Sequence, residues 1–160
     1  MGPFFIDIEA FQHGVDGKFV IKELSIIDVD KPLHPLYYIF EAHKTWQELD
    51  SSHQRTYEYQ TAHLHHLEWH EGNTRYCKRC IMHHIKKHFG VKGGLFYVMG
   101  DQKLNFLQEE FPDLNFIQYN ITFDKLPILP PNIHCLYRNH GHHCALLKCM
   151  RMYLHYTMYE

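Results

Sequence analysis

The order of hydrophobic patterns along the chain is the feature that most constrains its fold. Residues 3–10 alternate apolar and polar side chains as a β-strand does, and two more strand-like segments follow at 18–28 and 36–40. Turn residues between the first two segments favour an antiparallel hairpin. Residues 42–73 show no clean period and are predicted to form short helices and loops. The remaining predicted elements are a helix at 74–88, a strand at 95–99 buried on both faces, a helix at 101–111 capped by Asp101, a strand at 114–119 and a helix at 143–156.

Three strands followed by two helix–strand units predict an α/β fold with a mixed five-stranded sheet flanked by helices. The first three strands run antiparallel, and the last two need helical crossovers that make them parallel. With 160 residues the chain has the size of one domain, and we expect residues 1–160 to form it. This order of elements resembles that of the ribonuclease H-like fold.

Composition excludes several classes of protein. The longest apolar runs are far shorter than the roughly 20 residues that span a bilayer, and no apolar segment follows Met1, so we expect neither a membrane protein nor a secreted one. The expected location is intracellular, nuclear or cytoplasmic. A net charge of -2 argues against indiscriminate binding of polyanions. Five cysteines, an odd number, indicate thiols or metal ligands, and 16 histidines make zinc the first cofactor to test.

Two acidic side chains lie on one face of the first predicted strand. Asp7 and Glu9 are two residues apart, a spacing at which side chains project to the same side of a strand. Adjacent carboxylates repel each other unless a cation neutralises them. Together with the strand-like residues 19–27, this segment resembles the first motif of DEDD-type 3′–5′ exonucleases, which act through two metal ions. The alternative is a solvated strand face.

Two lysines stand where this exonuclease family has its other metal-binding acids. The last motif of the family is His-x-Ala-x-x-Asp; here His143 and Ala145 match, and Lys148 replaces the aspartate. In the middle motif Lys103 takes the place of an aspartate, although Asp101 lies two residues earlier. An ammonium near the first-strand acids would pair with them as Mg²⁺ does in an active relative. The resemblance therefore implies a degenerate site without two-metal cleavage.

A Cys/His cluster precedes the last predicted helix. Cys135, His140 and Cys144 are ligand types at a spacing that suits tetrahedral zinc, with a fourth ligand supplied from elsewhere. The candidates for that ligand are His84, Cys80, His134 and a remote glutamate. The alternative is a pair of small buried thiols in a polar loop. The stretch resembles the zinc site of the Maelstrom domain, a degenerate ribonuclease H-like module of germline transposon silencing, and the resemblance implies that these three residues are zinc ligands.

The predicted helix at 74–88 contains a second possible metal site. Cys77, Cys80, His83 and His84 have ligand-like spacing. Within a helix, however, Cys77, Cys80 and His84 also fit an ordinary inward-facing stripe. Both interpretations stay open at the level of the sequence.

Basic residues are concentrated around the same helix. Six of the sixteen Lys and Arg residues lie close together: Arg75, Lys78, Arg79, Lys86, Lys87 and Lys92. Such a basic ridge can follow nucleic-acid phosphates while the whole chain stays near neutral, and the alternative is a solvated outer face. His65, His66 and Trp69 offer groups that stack on a single strand, or else pack a loop.

These features favour a degenerate ribonuclease H-like module that binds RNA, another single strand or a protein partner, and that is stabilised by zinc. A role in transposon or RNA silencing follows from the resemblance alone. The alternative is an active exonuclease or endoribonuclease in which Asp7, Glu9 and Asp101 bind Mg²⁺ or Mn²⁺. In that case His143 is the general base. A third hypothesis is a protein-binding scaffold whose basic ridge is incidental.

Overall fold

A computed structural model gives the structure of the chain and describes residues 3–12, 19–89, 94–130, 133 and 144–159. The strands are β1 (Phe4–Phe11), β2 (Val20–Asp28), β3 (Leu36–Ile39), β4 (Leu95–Val98) and β5 (Asn115–Gln118). The helices are α1 (Ser51–Gln60), α2 (Lys78–Phe89), α3 (Asp101–Glu110) and α4 (Ala145–Tyr159). Shorter turns are 3₁₀-helical at Trp46–Glu48 and Phe123–Lys125 and π-helical at Thr61–His65.

The five strands form one mixed sheet in the order β3-β2-β1-β4-β5. β2 pairs antiparallel with both β1 and β3, whereas β4 pairs parallel with β1 and with β5. The predicted α/β class and the mixed sheet, three antiparallel strands and two parallel ones, are therefore confirmed. The turn predicted between the first two strands lies outside the described residues.

Alternating side chains of β1 separate the core into two layers. Phe4, Ile6 and Ile8 pack with the buried residues of α2 and α3 on one face of the sheet. Phe5 points to the other face, where it packs with Cys149 and Met152 of α4. Because side chains alternate along a strand, the residues that follow Phe5 at intervals of two also face α4. These residues are the two acids of the predicted site.

Several predicted details of the helices are wrong. α2 begins at Lys78 rather than at residue 74, so Cys77 lies before the helix. Its buried residues are Ile81, Ile85 and Phe89, whereas Cys80 and His84 are exposed. The inward stripe predicted through Cys80, Ile81 and His84 is therefore confirmed for Ile81 and wrong for Cys80 and His84, because the buried positions follow the branched and aromatic side chains.

Two other sequence predictions need correction. Asp101 is the first residue of α3 and does not cap it, because Gly100 occupies the cap position and no side chain caps the helix there. In β4, Phe96 and Val98 are fully buried, but Leu95 is 36% exposed, so the strand is not buried on both faces throughout. The prediction of short helices and loops over 42–73 is confirmed, because the segment contains the ten-residue helix α1, two shorter helical turns and loops.

A β-bulge in β2 places a lysine in the interior. Glu9 pairs with Glu23 and Ala10 pairs with Ile21, so Lys22 has no partner on β1. The fully buried Lys22 ammonium donates to the carbonyl oxygens of Phe40, at 2.7 Å, and Trp69, at 2.9 Å. It also donates to the carbonyl of Glu71.

The buried lysine fixes the 42–73 segment against the end of β3. Burial lowers the pKa of Lys22 to about 8, although the carboxylates of Glu71 and Glu41 oppose that effect. Lys22 is therefore mainly charged at neutral pH, and its three acceptors are carbonyls rather than a counter-ion. Gly72 permits this approach, because its φ is +136° and a Cβ there would collide with the carbonyl of Phe40.

We expect Lys22→Met to lower the free energy of unfolding by about 3 kcal/mol, since buried carbonyls lose a charged donor while the apolar volume is kept. Urea unfolding followed by circular dichroism measures the change. Lys86→Met, on the exposed surface of α2, is the matched control and should change stability by less than about 0.5 kcal/mol. Equal stability of the two variants would contradict the anchoring role of Lys22.

Candidate functional site

The central strand of the sheet carries both acids of the predicted site. Asp7 and Glu9 are buried on the face of β1 that α4 covers, and Asp7 is only 1% exposed. In the β1–β2 ladder Asp7 lies opposite Ser25, and Glu9 lies opposite Glu23. Three carboxylates therefore share one region of a buried face.

Two lysines reach these acids from the first turns of two different helices. Lys103 of α3 places its Nζ 2.8 Å from Asp7 Oδ1 and 3.5 Å from Glu9 Oε1. Lys148 of α4 places its Nζ 2.6 Å from Glu9 Oε1. The predicted pairing of lysine ammonium groups with the two acids is confirmed.

The sheet topology explains why Lys103 arrives at this place. β4 runs parallel to β1, with Phe5 beside Tyr97, so the two strands end at the same edge of the sheet. α3 begins three residues after β4 ends and therefore starts beside the carboxyl end of β1. Asp101, also on this first turn, is exposed, and Lys103 is the residue that contacts Asp7.

Burial and the two lysines have opposing effects on the acids. Burial raises the pKa of Asp7 despite its contact with Lys103. Burial alone would also raise the pKa of Glu9, but the ammonium groups of Lys103 and Lys148 outweigh it and lower that pKa. Conversely, burial alone would lower the pKa of Lys103, and the two carboxylates raise it. The site is a compact cluster of two acids and two cations. Burying either kind of charge without the other would be costly.

Glu23 is a site residue that the sequence analysis missed. Its carboxylate accepts a hydrogen bond from the hydroxyl of Tyr37 and another from the backbone N–H of Ala145, the first residue of α4. A carboxylate is favourable at a helix N-terminus, where backbone N–H groups lack partners. Glu23 thus fixes the start of α4, three residues before Lys148. The available signal was a third acid in the strand next to Asp7 and Glu9.

The residues proposed as zinc ligands are only partly described. Cys135, His134 and His140 lie outside the described residues, as does the predicted general base His143. Cys144 is fully buried directly before α4, in the layer that contains Phe5. His84 is exposed on α2, which packs on the opposite face of the sheet, so the structure does not bring His84 and Cys144 together. Across residues 3–12, 19–89, 94–130, 133 and 144–159, no group of three or more His, Cys, Asp or Glu side chains is arranged to hold a metal ion.

The basic ridge is exposed along α2 and the residues before it. Its described members are Arg75, Lys78, Arg79, Lys86 and Lys87, and Lys92 lies outside the described residues. Lys78 also pairs with Glu110 of α3 at 3.2 Å, through a lysine side chain that is 54% exposed.

A groove of about 800 Å³ runs beside this ridge, between the start of β2 and α3. Arg75, Tyr76 and Lys78 line one side of it. Phe19 and Phe106 line the other, with ring centroids 5.4 Å apart. The groove therefore combines three aromatic rings with two cationic side chains, and the carboxylates of Glu41 and Glu110 also line it.

His65 and Trp69, two of the residues that could stack on a nucleic-acid strand, pack in the interior of the protein. Trp69 is 4% exposed and stacks on Tyr57 at 5.0 Å, with an interplanar angle of 8°. His65 is buried in the π-helical turn, where its Nδ1 accepts from the N–H of Leu67 and its ring meets the ring of Phe11. The loop-packing interpretation is therefore correct for His65 and Trp69. His66 differs, because it is exposed and has a positive φ of 58°.

No protein-family model, curated protein or solved structure matches the chain. In the part of the chain that the structure describes, no helix has the length and apolar character needed to cross a bilayer.

We expect Lys103→Met to lower the free energy of unfolding by about 3 kcal/mol, because it leaves the buried carboxylate of Asp7 without its nearest cation. The double variant Asp7→Asn/Lys103→Met lacks both charges of the pair. Its loss of unfolding free energy should therefore be smaller than the sum of the two single losses. Urea unfolding of the four proteins gives the coupling energy.

Lys78→Met is the matched control, since it removes an exposed lysine from its pair with Glu110 and should cost less than about 1 kcal/mol. Strict additivity of the Asp7 and Lys103 substitutions would show that this pair is not coupled.

Proposed function

We propose that the chain is a degenerate ribonuclease H-like module that binds single-stranded RNA and does not cleave it through two metal ions. The observation that carries the proposal is the contact of Lys103 and Lys148 with Asp7 and Glu9. The resemblance to the Maelstrom domain extends the proposal to a role in RNA or transposon silencing.

The strand order supports the ribonuclease H-like assignment. A central β1, antiparallel neighbours on one side and parallel strands on the other match the order of elements that suggested this fold. The acids lie on β1, and the two helices that supply Lys103 and Lys148 begin beside it. These are the positions at which the resemblance locates the motifs of the exonucleases.

Electrostatics argue against a metal pair in this site. Metal ions of the two-metal mechanism need carboxylate oxygens that are free of cations. Here an ammonium group contacts one oxygen of each acid, Asp7 Oδ1 at 2.8 Å and Glu9 Oε1 at 2.6 Å. A divalent ion about 4 Å from one ammonium would be repelled by about 8 kcal/mol at an effective dielectric constant of 20. The residues present therefore do not fit Mg²⁺ or Mn²⁺, and we assign no metal-dependent step to them.

The basic ridge and the groove beside it support binding of a single strand. Successive phosphates require a line of cations, and the described ridge residues are all exposed. Unpaired bases require flat apolar surfaces, and the groove offers the rings of Phe19, Tyr76 and Phe106 next to Arg75. A duplex would leave those rings unused, because its bases are already stacked.

We expect the protein to bind labelled single-stranded RNA in the presence of Mg²⁺ or Mn²⁺ and to leave it intact. Arg75→Glu/Arg79→Glu should weaken binding by at least about tenfold and should reduce the slope of log affinity against log salt by about 1.4, or 0.7 for each lost phosphate contact. Fluorescence anisotropy measures affinity, and denaturing gels report cleavage.

The control variant Lys31→Glu/Lys125→Glu changes the net charge equally at exposed sites away from the ridge and should bind as the unmodified protein does. Metal-dependent cleavage that Asp7→Ala abolishes would overturn the proposal and favour the nuclease that uses Asp7, Glu9, Asp101 and His143. Failure to bind any oligonucleotide at low or high salt would favour a module that binds only proteins.

We further propose that zinc stabilises the start of α4. Cys144 is a buried thiol at this place, and the carboxylate of Glu23 contacts the N–H of the next residue. A cysteine thiolate and a carboxylate are both ligand types that zinc accepts. Cys135, His140 and Cys144 would then hold the ion, with Glu23 rather than His84 as the fourth ligand. Zinc at this place would supply folding energy rather than chemistry.

Elemental analysis of the purified chain is expected to give one zinc per chain. Cys144→Ser and Glu23→Gln should each lower that ratio, because each removes a ligand. Cys80→Ser, at an exposed position on the other side of the sheet, is the control and should leave the ratio unchanged. Absence of zinc from the unmodified protein, or its loss in Cys80→Ser alone, would contradict this site.

A further inference from the structure

Two thiols lie together at the beginning of α2, away from the carboxylate cluster. Cys77 directly precedes the first residue of the helix, and Cys80 is its third residue. The backbone N–H of Cys80 donates to the Sγ of Cys77 at 3.3 Å, so Cys77 occupies the position of a capping side chain. The side chains of Cys77 and Cys80 therefore both lie at the first turn of the helix.

These two thiols are accessible to reagents in solution. Cys80 is exposed and Cys77 is half-buried, whereas Cys144 and Cys149 are fully buried. Cys149 is additionally engaged through its thiol with the carbonyls of Phe5 and Ser25. Among the cysteines that the structure describes, Cys77 and Cys80 are therefore the two that are both accessible and close to each other.

The surroundings favour an attacking role for Cys77. The nearby Cys80 thiol lowers the pKa of Cys77, and the N–H of Cys80 and the nearby Arg79 act in the same direction. The same contact raises the pKa of Cys80. A thiolate at a helix N-terminus with a second thiol in reach is the arrangement that forms and breaks disulfides. A metal would need further ligands, and the described part of the chain supplies no third His, Cys, Asp or Glu there.

We propose that Cys77 and Cys80 are a redox-active dithiol that closes to a disulfide when it meets a peroxide. The Cys77 thiolate attacks one oxygen of hydrogen peroxide, the O–O bond breaks, and the leaving hydroxide takes a proton to become water. Cys77 is then a sulfenic acid. Cys80, after giving its proton to solvent, attacks the Cys77 sulfur; the S–O bond breaks and a second water leaves. The protein loses two electrons, which the peroxide gains, and a small thiol reductant restores both thiols.

The proposal is independent of RNA binding, because it stands on the two sulfur atoms and their access to solvent. Lys78 and Arg79 lie between the two cysteines, so the disulfide would close a short loop that contains two members of the basic ridge. The disulfide would change RNA binding only if the basic ridge contacts the RNA.

The test uses the full chain, treated with a small excess of hydrogen peroxide and then alkylated with N-ethylmaleimide. We expect intact mass spectrometry to show loss of two hydrogens and of two alkylation sites, and peptide mapping to show a Cys77–Cys80 disulfide. Dithiothreitol should restore both alkylation sites. A disulfide that joins other cysteines, or two thiols that stay open to alkylation after peroxide, would overturn the proposal.

Two single variants separate the roles of the thiols. In Cys80→Ser, peroxide should leave Cys77 as a sulfenic or sulfinic acid, because the resolving thiol is missing. Alkylation of Cys80 in Cys77→Ser should be several-fold slower near neutral pH than alkylation of Cys77 in Cys80→Ser, because only the Cys77 sulfur accepts a backbone N–H at the start of the helix. Cys149→Ser is the matched control and should form the disulfide as the unmodified chain does. Equal alkylation rates and pH profiles for Cys77 and Cys80 would contradict the assignment of Cys77 as the attacking thiol.

Discussion

The pairing of buried carboxylates with lysine ammonium groups is the interaction on which the arrangement of the molecule depends. Asp7 lies on the central strand with almost no contact with water, and an unpaired carboxylate in such a place is costly. Its partner Lys103 comes from α3, and Lys148 comes from α4 to pair with Glu9. Because the two helices lie on opposite faces of the sheet, the same contacts that neutralise the acids also fix both helices relative to β1.

The buried carboxylates of β1 are neutralised by amines that are part of the polypeptide. An ion can leave, whereas an ammonium on a side chain is present whenever the chain is folded. The carboxylates are thus neutralised independently of the metal content of the solution, and Glu23 strengthens the arrangement by orienting the first turn of α4. Such a site is suited to maintaining the relative positions of β1, α3 and α4.

Local patterns sufficed for the sheet and for the ion pairs, but not for the contacts between distant segments. Alternation in β1 and the lysines in two motifs are visible in short windows. Short helices were predicted in the 42–73 segment, but the position of α1 was not, because its inward side chains are Tyr57 and Gln60, which do not form an apolar stripe. Glu23 and Lys22 could not be assigned, because their partners lie elsewhere: the start of α4 is 122 residues from Glu23, and the Trp69 carbonyl is 47 residues from Lys22. Cys77 was placed inside a helix that begins one residue later, since capping depends on backbone geometry rather than on hydrophobic period.

The bulge at Lys22 has a consequence for how this architecture tolerates changes in length. Glu23 and Ile21, on either side of the bulge, pair with successive residues of β1. Glu23 therefore faces α4 and Ile21 faces the opposite layer, as in a regular strand without Lys22. Lys22 is therefore an inserted residue that does not change which face its neighbours point to, and its side chain joins the end of β3 to the 42–73 segment. Lys22 and the 42–73 segment therefore depend on each other. A chain of this architecture that lacked the segment could also lack Lys22, and the register of β1 with β2 at the carboxylate cluster would be unchanged.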